Sequence, residues 1–149
     1  MLVLGKVKFE LQPADTDKID FFKKYLIHNS HIDTNYFIQN ETEFSALIQM
    51  SDIIFCHYQD FPFSSSILTK AMAHGKPVIV NQGYLMEKII NQYQWKMALP
   101  GKADIIAAAI EKFTASGDRI PNSAYTSFLQ DHSLEKFESC LIQACKNLQ

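Results

Sequence analysis

The sequence predicts an α/β fold built on a doubly wound parallel sheet. Three observations carry that expectation. Short β-rich runs, Leu2–Phe9, Asn35–Gln39, Ile53–Cys56 and Val78–Val80, alternate with stretches whose apolar residues recur every three or four positions. Gly75 and Pro77 stand where a helix would stop before a strand. The 149 residues are 47% hydrophobic and 20% charged, enough for one core, because a chain of this size removes roughly 68–70% of its unfolded surface from water. Residues 1–149 are therefore expected to form a single domain.

The elements follow in order. Leu2–Phe9, with Val3 and Val7, reads as the first strand and ends in the loop from Gln12 to Asp15. Ile19, Phe22 and Leu26, opposed by Lys18, Lys23 and Lys24, predict an amphipathic helix. Asn35–Gln39 is read as a short strand. Asn40 followed three places later by Glu43 is a capping box, opening a helix that buries Phe44, Leu47 and Ile48. The continuous apolar run Ile53–Cys56 predicts a strand covered on both faces.

Ser64, Ser65 and Ser66 then open a helix with Leu68, Ala71 and Met72 inward, and Gly75 caps it ahead of Val78–Val80. A loop around Gly83 leads to a helix with Leu85, Ile89 and Ile90 inward. Met97–Leu99 is a short edge strand and Ala103–Phe113 a helix. Ala124–Leu148 reads as one or two more helices with Leu134, Phe137, Leu141 and Ile142 facing inward.

Composition excludes several functions. The net charge is −2 from 14 basic and 16 acidic residues with no block of one sign, which argues against nucleic-acid binding. A membrane span needs about 20 apolar residues; the longest uninterrupted run is Ile105–Ile110. The start, Met1–Leu4, lacks a basic region and breaks at Gly5 and Lys6, so it does not read as a secretory signal. Cys56, Cys140 and Cys145 have no metal-ligand spacing and are odd in number, which suggests reduced thiols in a cytoplasmic protein. His28, His31, His57, His74 and His132 likewise form no metal site.

In open parallel sheets the ligand crevice lies beyond the carboxyl ends of the strands. The most informative loop there is His57–Ser66, which leaves a strand and enters a helix. A helix amino terminus offers unpaired N–H groups and about half a positive charge, and three serine hydroxyls add donors, a combination suited to phosphate. The plainer reading is that one serine is an N-cap. Glu87 in the first turn of its helix also has a plain reading, complementing the helix dipole.

The block Ser64–Val80, with its core Ala71-Met72-Ala73-His74-Gly75-Lys76-Pro77-Val78, resembles the nucleotide-sugar-binding half of group 1 glycosyltransferases of the GT-B fold. Ser51–Cys56 stands where that family has a strand, and Gly83–Glu87 where it has a loop ending in glutamate. The likeness extends from the amino terminus through Ala103–Phe113. It implies binding of a nucleoside-diphosphate sugar, with Ser64, Ser65 and Ser66 toward the phosphates, Gly83 and Glu87 toward the sugar, and Phe63 and Lys70 among the binding residues. It also implies transfer of that sugar to a saccharide or lipid acceptor, as in polysaccharide biosynthesis. No metal or cofactor is implied, and the resemblance assigns no catalytic residue.

The sequence departs from the pattern at Pro62 and Lys70, where the family carries glutamates; a lysine cannot accept hydrogen bonds from ribose hydroxyls. The likeness also begins at what corresponds to the family's second strand. The first strand and helix, with their basic residues, and the amino-terminal acceptor domain are expected to be missing, leaving this chain alone without a full active site. The alternative expectation is a non-catalytic interaction module that associates with partners or with itself through an uncovered sheet edge.

Overall fold

The computed structural model describes residues 2–4, 32–34, 38–95 and 97–147. The chain divides into two units, residues 1–47 and 48–149. In the first unit, strands β1 (Leu2–Leu4) and β2 (Ile32–Thr34) pair in parallel, with Leu2 opposite Ile32 and Leu4 opposite Thr34. The remainder of the expected strand Leu2–Phe9 and the helix expected around Ile19–Leu26 lie outside the described residues. Of the strand expected at Asn35–Gln39, residues 35–37 lie outside the described residues, and Ile38 and Gln39 belong to no strand; the described residues that pair with β1 are Ile32–Thr34. Ile38 and Gln39 form the lead-in to a helix.

That helix, α1 (Glu41–Met50), starts as the sequence predicts. Asn40 Oδ1 accepts the backbone N–H groups of Thr42 at 2.9 Å and Glu43 at 3.2 Å, satisfying two of the donors a helix start leaves unpaired. Ile48 is buried, with Phe44 and Leu47 half-buried.

The second unit runs β3 (Ile54–Cys56), α2 (Ser66–Ala73), β4 (Val78–Asn81), α3 (Leu85–Gln92), β5 (Ala98–Leu99), α4 (Ala103–Ser116), α5 (Asn122–Asp131) and α6 (Leu134–Lys146). Its three strands form a parallel sheet in the order β3-β4-β5, with Cys56 opposite Val80 and Val80 opposite Ala98. The protein is thus α/β with parallel strands. Each step moves the chain one place in the same direction, so right-handed crossovers put α2 and α3 on the same face.

The packing agrees. Cys56, Val78 and Val80 form one core with Leu68, Ala71 and Met72 of α2, Met86 and Ile90 of α3, and Ala124 and Phe128 of α5. Burying each of the larger side chains contributes about 1.5–3 kcal/mol. Trp95, only 1% exposed, closes this core, its Nε1 donating to the Lys76 carbonyl at 2.8 Å and its ring lying edge-on to Phe128.

Two turns position the sheet's connections. After α2, Gly75 N donates to the Met72 carbonyl and Lys76 N to the Ala71 carbonyl, both at 2.9 Å, with Gly75 at φ +65°. This 6→1 and 5→2 pair is a Schellman ending, and its left-handed residue is the glycine that the sequence marks. Pro77 then directs the chain into β4.

Three burial expectations are corrected. The strand covered on both faces is β4, whose Val78, Ile79 and Val80 are fully buried, whereas Phe55 of β3 is 53% exposed because β3 ends this sheet. In α3, Ile90 is buried and Ile89 half-buried against the core as expected, but Leu85 is exposed and Met86 takes the inward place beside it. Leu134, Phe137, Leu141 and Ile142 of α6 do not face inward; all four are exposed, and α6 buries no residue. Among the described residues, no helix is long and apolar enough to cross a membrane.

Candidate functional site

The loops at the carboxyl ends of β3, β4 and β5 converge through side-chain hydrogen bonds. His57, the first residue after β3, places Nε2 3.2 Å from the Leu99 carbonyl in β5. A carbonyl only accepts, so Nε2 carries the proton. Asn81 ends the buried strand β4, and its Nδ2 donates to the Tyr58 carbonyl at 2.7 Å. Tyr84, before α3, donates its hydroxyl to Asp60 Oδ1 at 3.3 Å. The β3–α2 loop is therefore fastened to the last residues of β4 and β5 and to the loop between β4 and α3.

The aromatic residues of that loop pack on one another. Tyr58 meets Phe61 edge-on at 5.2 Å between ring centroids, and Phe61 meets Phe63 at 5.6 Å. Phe63 itself is 66% exposed, so its ring leaves a free apolar surface beside the serines. Of these, Ser64 and Ser66 are exposed and Ser65 is half-buried.

Ser65 occupies the N-cap of α2 in extended backbone, φ −124° and ψ 133°, yet its side chain does not cap the helix. Its Oγ lies 3.5 Å from the Tyr58 hydroxyl instead. The first backbone bond of α2 runs from Thr69 N to the Ser65 carbonyl. The amides of Ser66, Ile67 and Leu68 precede that bond and have no intrahelical acceptor. The serine run thus does not serve as the plain N-cap that the sequence allows.

Gly83 and Glu87 form a second element at the same edge of the sheet. Glu87 Oε2 accepts the Gly83 backbone N–H at 2.7 Å, and Gly83 sits at φ +93°, a conformation that suits glycine. The carboxylate thus shapes its own turn in addition to complementing the amino end of α3. Lys70 lies more than a turn inside α2, half-buried, and belongs to the last turn of that helix. The structure places Ser64, Ser65, Ser66 and Phe63 together at the start of α2, and Gly83 and Glu87 at the start of α3, with Lys70 set back from both.

Beneath the site, burial pushes the Cys56 thiol up to about 11, opposed by a hydrogen bond with Tyr58. Such a thiol is protonated at neutral pH and is not a nucleophile. Burial likewise raises Tyr58, with the Ser65 contact acting the other way. Among the described residues, no three His, Cys, Asp or Glu side chains gather to hold a metal ion.

Sequence reasoning marked out the loop His57–Ser66 but missed Tyr58, Asp60, Asn81 and Tyr84 as the groups that tie the loops together. For Asn81 a signal exists: a polar residue continuing a buried apolar strand must find a partner, because leaving its amide unbonded is costly. Comparisons with protein-family models, with curated proteins and with solved structures find no match for this chain.

Proposed function

We propose that residues 48–149 bind the diphosphate of a nucleoside-diphosphate sugar at the amino end of α2, as the donor-binding part of a GT-B glycosyltransferase with a doubly wound sheet. The observation that carries this reading is the state of Ser65. An N-cap serine that leaves the helix amides uncapped, at the carboxyl edge of a parallel sheet and flanked by two exposed serines, favours an anionic ligand. The segment Ala71–Val78 supports the same reading through its resemblance to group 1 glycosyltransferases.

In this reading the amides of Ser66 and Ile67 and the hydroxyls of Ser64 and Ser66 meet the phosphates. Phe63 flanks the nucleotide, and the Gly83–Glu87 turn borders the sugar. Pro62 and Lys70 offer no carboxylate for ribose, so recognition rests on the phosphates, with Lys70 adding positive charge. An acceptor saccharide or lipid would come from a partner domain.

Calorimetric titration of the full chain with UDP, GDP and ADP tests the proposal. Ser66→Pro is the informative variant. Proline is tolerated at the first helical position, and the extended backbone of Ser65 suits a following proline, so the change deletes one amide donor and one hydroxyl without breaking the helix. Binding by at least one nucleotide is expected. It should weaken about 10- to 100-fold in Ser66→Pro, the effect of losing a charge-assisted hydrogen bond of about 1.5–3 kcal/mol. Absence of binding at millimolar nucleotide, or binding indifferent to the substitution, overturns the reading.

A further inference from the structure

The hydroxyl of Ser65 has two partners within reach of a single side-chain rotation. As the N-cap of α2, in extended backbone, it is placed to accept the backbone N–H of Ile67 or Leu68, the bond that an N-cap serine ordinarily makes. It makes no such bond. Its Oγ faces the Tyr58 hydroxyl at 3.5 Å instead, and a change of staggered rotamer separates the two arrangements.

Tyr58 is itself held in place from three directions. Its hydroxyl shares a hydrogen bond with the thiol of Cys56, a fully buried residue of β3. Its ring lies edge-on to Phe61 at 5.2 Å, and its carbonyl accepts Asn81 Nδ2 at 2.7 Å. The phenol is thus a fixed point, and the serine is the part that can turn.

We propose that Tyr58 is a positioning residue that keeps the Ser65 hydroxyl off the first amides of α2. Without the phenol hydroxyl, the serine turns and caps its own helix. The inference rests on the reading that a diphosphate meets these amides, and it deepens that reading by naming what regulates the site. A hydroxyl capping Ile67 and a phosphate on the same amide exclude each other, so Ser65 is a built-in competitor that Tyr58 holds aside.

Tyr58→Phe in the full chain tests this. The change deletes one hydroxyl and retains both the ring against Phe61 and the carbonyl held by Asn81. The first measurement needs no ligand: urea unfolding of Tyr58→Phe, Ser65→Ala and the double variant. Ser65→Ala by itself removes no cap and should change the unfolding equilibrium by about twofold or less; in the Tyr58→Phe background it should cost about fivefold, the effect of losing a serine N-cap.

The second measurement is calorimetric titration with UDP, GDP and ADP. Tyr58→Phe should weaken binding about fivefold, because the phosphate must displace a cap, and adding Ser65→Ala should recover it. Loss of a merely structural support would not be reversed by removing a second side chain.

An equal cost of Ser65→Ala in both backgrounds overturns the proposal. So does nucleotide binding that Tyr58→Phe weakens and Ser65→Ala fails to recover, which would make the phenol a ligand contact or a support of the loop. Absence of nucleotide binding in every chain, with the unfolding results as expected, overturns the diphosphate reading and supports the hold of Tyr58 on Ser65.

Discussion

Helices α3 and α6 are both amphipathic, with polar residues on one side and apolar residues at helical spacing on the other. In α3, Met86 and Ile90 are fully buried; in α6, Leu134, Phe137, Leu141 and Ile142 all remain exposed. The difference lies in what the chain does on either side. Helix α3 connects two parallel strands, β4 and β5, so its ends are anchored to the sheet and its apolar side must lie against it. Helix α6 has no such anchor among the described residues: α5 before it packs Ala124 and Phe128 into the core, while α6 contributes no side chain to it. An apolar stripe states that a helix has a surface to cover; the spacing alone does not say whether its own sheet supplies that surface.

The largest effect that sharpens this contrast compares two phenylalanines. Phe128, 1% exposed between Tyr93, Trp95 and His132, should cost about 3–5 kcal/mol when replaced by alanine. Phe137→Ala, at 65% exposure, should change the stability of the monomer by about 0.5 kcal/mol or less. Urea denaturation of dilute protein measures both. Equal losses would mean that α6 is packed within the monomer.

A smaller effect separates two glycines with the same backbone. Gly75 ends α2 at φ +65° and Gly117 ends α4 at φ +64°. A methyl group at Gly75 would meet the Tyr125 ring at 3.5 Å, an ordinary contact, so Gly75→Ala should cost about 1–2 kcal/mol through backbone strain alone. Gly117→Ala carries the same local strain, but α4 buries no residue and can give way locally, so less of the cost should reach global unfolding. Denaturation midpoints of the two variants decide this.

The smallest effect concerns titration of the core. Cys56 is raised from 9 to about 11, and Tyr93 is raised above its usual 10 by burial and then by its bond to Asp131. In both cases the folded state holds its proton more tightly than the unfolded chain. For Cys56 the contribution to stability is therefore complete below pH 9 and is lost as pH rises through about 11, and Tyr93 adds a loss of the same sign above its usual 10. Denaturation at pH 8 and pH 11 should show a drop that is smaller in Cys56→Val. In native protein at pH 8, a thiol reagent should label Cys140 and Cys145 rapidly and Cys56 only on unfolding.

Much of the chain from Asn40 onward was legible because its punctuation is local. Asn40 at a helix start, Gly75 and Pro77 between α2 and β4, and the apolar run Val78–Val80 each act over a few residues, and their positions fix the elements to within a residue or two. Side-chain direction was less legible. Met86, and not Leu85, is the inward residue at the start of α3, and that choice is set by how the Gly83 turn delivers the chain. Phe55 looked as buried as Ile79 because both sit in apolar runs, yet strand order alone makes β4 central and β3 terminal.

The candidate site divides in the same way. The serines were visible as residues that suit a phosphate, and Gly83 and Glu87 as residues that the resemblance sets toward the sugar. The contacts that place them join positions 57 with 99, 58 with 81 and 60 with 84, and no local pattern encodes such distant pairings.

Those pairings bear on how the site would work in time. A loop that must be ordered by its ligand gives up part of the interaction energy to conformational entropy and slows the encounter. Here the Tyr58 carbonyl is already held by Asn81, His57 already reaches Leu99, and Asp60 already receives Tyr84. The β3–α2 loop behaves as a socket formed in advance, so a ligand arriving at α2 would bind by docking and not by folding the loop around itself.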